Sequence, residues 1–82
     1  MTMNKTDEVR VFVENGEYKK ALYLVKGFRY GIIKEDLDKM KLAYECMVHS
    51  GFYKQIGTNT SSAISEGIEI LKTLYGQNIK NN

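Results

Sequence analysis

The chain has no proline, a single cysteine, a single histidine and no strong charge bias, and each shortage closes off a class of protein. Without proline, helices cannot be broken by a missing backbone donor, so the punctuation falls to glycine and short polar clusters. One cysteine, Cys46, makes no internal disulfide, which fits a reducing compartment. One cysteine and one histidine fall short of the three or four ligands that zinc takes from such side chains. No apolar run approaches the roughly 18 residues expected of a membrane span. The opening MTMNKTDEVR lacks the apolar stretch of a secretory leader. These features together predict a cytoplasmic protein with no membrane association. Twelve basic residues against ten acidic ones leave a net charge of +2, far from the bias of a nucleic-acid coat, so any electrostatic recognition has to be local.

What is present is ordinary for a folded domain: 82 residues, 43% apolar and 27% charged. A chain this short forms one domain and leaves little room for a deep cleft. The expected organisation is a single helical domain over 1–82, ordered from about 4 to 76, with the tail QNIKNN fraying. Its class is all-α, a small compact bundle of about four helices with short connections.

Helical periodicity supports that class. The first segment starts near Asn4 or Thr6, has Asp7 and Glu8 in its first turn, carries Val9, Phe12 and Val13 at i, i+3, i+4, and ends at Asn15 and Gly16. The second is expected from about Glu17 to Arg29, with Gly27 inside it and Gly31 as its stop. The third, about Lys34 to Ser50, places Leu37, Met40, Tyr44, Met47 and Val48 on one side and is closed by Gly51. Phe52 to Ile56 reads as a short apolar turn or a single helical turn, with Phe52, Tyr53 and Ile56 assigned to the core. The last helix repeats Ile64, Ile68, Leu71 and Tyr75 at i, i+4, i+7, i+11, and Gly76 stands where a left-handed cap is expected. The predicted core is Phe12, Leu22, Val25, Phe28, Leu37, Met40, Tyr44, Ile64, Ile68 and Leu71.

No catalytic or cofactor motif emerges, and the expectation is a protein that is not an enzyme and needs no cofactor or metal. Cys46 and His49 lie three apart on the third helix, yet catalysis needs a third orienting group, and the plainer reading is a buried thiol beside a surface imidazole. Glu35, Asp36 and Asp38 suit the first turn of a helix, where acids complement the macrodipole.

The most informative stretch is Tyr18 to Lys34, YKKALYLVKGFRYGIIK, with five basic residues, four aromatic ones and no acid. On a helical wheel at about 100° per residue, Lys19, Tyr23, Lys26 and Tyr30 share one stripe while Ala21, Leu22, Val25 and Phe28 cluster on the other side. The candidate partner-binding residues are therefore Lys19, Tyr23, Lys26, Arg29, Tyr30 and Lys34. Tyrosines outside the apolar arc offer contact area at low entropic cost, and the cations can steer toward an acidic protein surface. Nonspecific nucleic-acid binding by the same face is the alternative, and a solvated face is the plainest reading. A homodimer is compatible with six tyrosines on so small a bundle.

GEYKKAL resembles the inner turn of a tetratricopeptide-type helix pair, but no second copy follows, so the array reading lapses. A helix-turn-helix reading also fails, since the third helix opens with acids. Together, GEYKKAL, VKGFRYGIIKEDLDKM and AYECMVHSGFYKQIG resemble a group of small uncharacterised proteins from phages and prophages of Gram-positive bacteria, over about Glu14 to Tyr75. That resemblance implies a bacterial host and action by binding another protein, such as a repressor, a replication factor or a host defence component. It assigns no functional residue. It also leads one to expect a hydroxyl residue where this chain has Ile33, at the cap of the third helix.

Overall fold

A computed structural model describes residues 4–76, and over these the chain is all-α, with no strand. Five helices follow one another: α1 (Lys5–Glu14), α2 (Tyr18–Val25), α3 (Lys34–Val48), α4 (Ser50–Gln55) and α5 (Thr60–Tyr75). The expected frayed tail at 77–82 lies outside the described residues.

Local chemistry accounts for most of the boundaries. Asn4 caps α1, its side-chain oxygen accepting the Asp7 N–H at 2.8 Å, and Asn59 caps α5 by accepting from Ser62 at 3.0 Å. At the end of α1, Gly16 adopts φ +75°, the Gly16 N–H bonds the Val13 carbonyl and the Glu17 N–H bonds the Phe12 carbonyl. This paired arrangement satisfies carbonyls the helix leaves open and needs a left-handed residue that glycine supplies without steric cost. Gly57, at φ +89°, closes α4 in the same way through Lys54 and Tyr53. Gly76 does not: its φ is −85°, so the expected left-handed cap of α5 is absent.

The second helix is shorter than its wheel suggests. It ends at Val25 rather than Arg29 because Gly27 and Phe28 donate to the carbonyls three residues back, Leu24 and Val25, tightening the chain into a turn. Residues 28–33 then run without helix to Ile33, which caps α3 with no side-chain bond. With no hydroxyl there, α3 starts on backbone geometry and on Glu35 and Asp36 in its first turn. The third helix stops at Val48, where His49 breaks the helical dihedrals, and Gly51 sits inside α4 instead of closing α3.

The core forms where α1, α2, α3 and α5 meet: Val9, Val13, Ala21, Leu22, Val25, Met40, Ala43 and Leu71. Four of the expected core residues, Leu22, Val25, Met40 and Leu71, are fully buried. Phe12, Phe28, Leu37 and Tyr44 are half-buried around them. Ile64 and Ile68 are a correction: they are half-buried but outside the hydrophobics packed on the central cluster, and with Ser61, Ser65, Glu69 and Lys72 they line an open concavity of about 460 Å³.

The buried residues of α5 are Thr60, Gly67 and the expected Leu71, with Tyr75 of the same stripe half-buried against the core. A glycine allows this because α5 crosses α3 closely: a methyl at Gly67 would stand 2.3 Å from the Ala43 Cβ and 3.2 Å from the Lys39 carbonyl oxygen. Lys39 then joins the two helices at the rim, reaching Glu35 at 3.6 Å and Glu66 at 3.7 Å. The assignment of Phe52, Tyr53 and Ile56 to the core is also corrected. α4 packs only its edge on α3 and α5, leaving Phe52 57% and Ile56 61% exposed with Tyr53 half-buried, and Val48 is exposed as well.

Candidate functional site

Because α2 stops at Val25, the six candidate residues do not form one helical stripe. Lys19 and Tyr23 stand exposed on α2, with Lys26 half-buried at its C-cap. Arg29 and Tyr30 belong to the following loop, displaced from the helical wheel. Lys34 opens α3, where its ammonium bonds the Asp38 carboxylate at 2.9 Å. An exposed i,i+4 pair of this kind stabilises little, but it places a carboxylate beside the Lys34 charge.

The first group is built across two helices. Tyr23 of α2 and Tyr44 of α3 lie with ring centroids 5.8 Å apart and planes tilted by 49°. The Lys26 ammonium sits over both rings, 5.1 Å from the Tyr23 centroid and 5.5 Å from that of Tyr44. Each ring face is electron-rich, so the cation is held in place while Tyr23 stays 57% exposed. The arrangement is a pre-ordered cation flanked by aromatic surface, with Lys19 as a second charge on the same helix. Sequence reading missed Tyr44 as a member, because it placed that ring in the core; an i, i+3, i+4 count cannot tell a ring at the core margin from one inside.

The second group gathers at one end of the bundle. Arg29 and Tyr30 line a concavity of about 290 Å³ with Phe28 and with Lys5 and Thr6 of α1. Lys5 was not among the candidates; it lies far away in sequence, and only the docking of α1 beside the loop brings it near.

The Cys46–His49 pair does not assemble. Cys46 is fully buried, and burial, with a smaller contribution from the Glu45 charge, raises its thiol above the ordinary range. His49 is exposed, with its Nε2 3.9 Å from Glu45. A raised thiol has little thiolate at neutral pH and makes a poor nucleophile. Among the described residues, no three His, Cys, Asp or Glu side chains gather as metal ligands, and no helix is long and apolar enough to cross a membrane.

Comparison of the chain with protein-family models, curated proteins and solved structures gave no match.

Proposed function

We propose that this is a non-enzymatic binding protein that docks an acidic protein surface through Lys19, Tyr23 and Lys26, with Tyr44 as the supporting ring. The observation that carries the reading is the Lys26 ammonium poised over two tyrosine rings, one largely exposed, in a segment of five cations and no acid. Ordering a lysine costs side-chain entropy on binding; here the rings have already restricted it, so less of that cost falls on association. An exposed tyrosine beside it suits the aromatic anchor of an interface. The resemblance to phage and prophage proteins supplies the setting of the proposal: an accessory protein in the cytoplasm of a bacterial host, acting on a regulator, a replication factor or a defence component.

The test is affinity capture from phage-infected bacterial cells, followed by binding kinetics with the purified partner. Lys19→Glu slows association, because a rim charge acts on encounter, and Tyr23→Ala speeds dissociation, because a desolvated anchor acts on residence. If both variants remain folded and bind the partner as the wild type does, the reading is wrong.

A further inference from the structure

The bundle end formed by the start of α1 and the loop after α2 has its own chemistry, separate from the face just described. Its concavity, about 290 Å³, is lined by Lys5, Thr6, Phe28, Arg29 and Tyr30: two cations, a hydroxyl, two rings and no carboxylate. Among the described residues, neither Lys5 nor Arg29 reaches a carboxylate, a condition they share with Lys19, Lys26, Lys41, Lys54 and Lys72, whereas Arg10, Lys20, Lys34 and Lys39 are paired. Phe28 is half-buried and braced edge-on by Tyr75, centroids 6.4 Å apart, which makes it a fixed wall. Tyr30 is the opposite case. It is 87% exposed, it stacks on no other ring among the described residues, and it precedes Gly31, whose φ of +85° turns the chain sharply at that point.

We propose that this concavity binds a nucleotide, with the base stacked on Tyr30 and the phosphate between Lys5 and Arg29. Free cations alone would suit any anion. An open phenol ring lining the same concavity favours a ligand that joins a flat aromatic face to a negative group, and a nucleotide does so whether free or within a single strand. The volume is at the low end of small-ligand sites, about 300 Å³, so one unit fits and a strand would continue outward. One phosphate held by both cations displaces counterions at about 0.7 per phosphate on a single strand, which sets the salt dependence at a slope of about −0.7.

The experiment measures fluorescence anisotropy of labelled oligothymidylate of about ten nucleotides with the full chain at low salt. Thymidine monophosphate and a glutamate-rich peptide of equal charge serve as competitors. Saturable binding is expected, with Tyr30→Ala weakening it by about 5- to 100-fold and Arg29→Gln weakening it at low salt and flattening the salt slope to a magnitude below about 0.7. Lys19→Glu and Tyr23→Ala, on the other face, leave it unchanged. Competition by the mononucleotide at the affinity of the oligomer identifies a free nucleotide as the ligand; a much tighter oligomer identifies a strand, and either result supports the site. The proposal is overturned by absence of saturable binding to both nucleotide forms, by equal competition from the acidic peptide, or by loss of binding in Tyr23→Ala but not in Tyr30→Ala.

Discussion

Gly67→Ala is the substitution in which the packing of this bundle is most exposed to measurement. Helix propensity alone favours it, since alanine in a helix interior is about 1 kcal/mol better than glycine. The new methyl, however, would lie 2.3 Å from the Ala43 Cβ, 3.2 Å from the Lys39 carbonyl oxygen and 3.6 Å from the Met40 Cα. Carbon atoms rest at about 3.5–4.0 Å, so α5 has to move away from α3 by more than about 1 Å. Neither Ala43 nor the backbone has a rotamer through which to yield. Overpacking of this kind costs about 1–3 kcal/mol, sometimes more, and this contact belongs at the upper end of that range because α3 against α5 is the largest packing surface of the fold. The expected net loss is about 2 kcal/mol, or a fall in melting temperature of about 8–16 °C for a domain of this size. Urea denaturation followed by circular dichroism measures it. A companion variant isolates the cause: Ala43→Gly alone costs about 2 kcal/mol in propensity and lost methyl burial, yet the double variant is less destabilised than the sum by at least about 1 kcal/mol, since the two methyls no longer meet. Gly67→Ala with wild-type or higher stability, or strictly additive single effects, would refute the close crossing.

Two further outcomes follow from burial. Leu71→Ala is expected to cost about 2–5 kcal/mol, against less than about 1.5 kcal/mol for Ile64→Ala, because Leu71 is fully enclosed while Ile64 borders the open side of α5; equal effects in a denaturant titration would contradict the placement of that helix. For Cys46, the thiol is raised by burial, so the folded state holds its proton more tightly than the unfolded chain; the associated stability is present below the ordinary thiol value of about 8.5 and is lost as pH climbs through the raised folded value. Stability should therefore decline above about pH 9 less steeply in Cys46→Ala than in the wild type, and a disulfide-exchange reagent should label the native thiol only slowly at pH 8. Immediate labelling of folded protein would count against burial.

The amino-acid sequence by itself determined the helical class, a helix start near Asn4, and the ends at Gly16 and near Gly57, because capping oxygens and left-handed glycines act within a few residues of themselves; the start of α5 at Asn59 fell inside a hydroxyl-rich stretch that reads as a connection. It also determined the concentration of cations and rings between Tyr18 and Lys34. The tertiary structure alone decided the rest. How the inward face of α5 is rotated turned on Gly67 opposite Ala43: of the expected stripe Ile64, Ile68, Leu71 and Tyr75, Leu71 is buried while Ile64 and Ile68 are left half-buried at the flank, because close approach rewards a missing side chain and periodicity counts only side chains that are present. Ending α2 at Val25 placed Arg29 and Tyr30 beside Lys5 rather than in line with Lys19, and docking α2 on α3 brought Tyr44 under Lys26. Such juxtapositions join residues far apart along the chain, and their geometry depends on how the helices cross, a property of the assembled core that no local window contains.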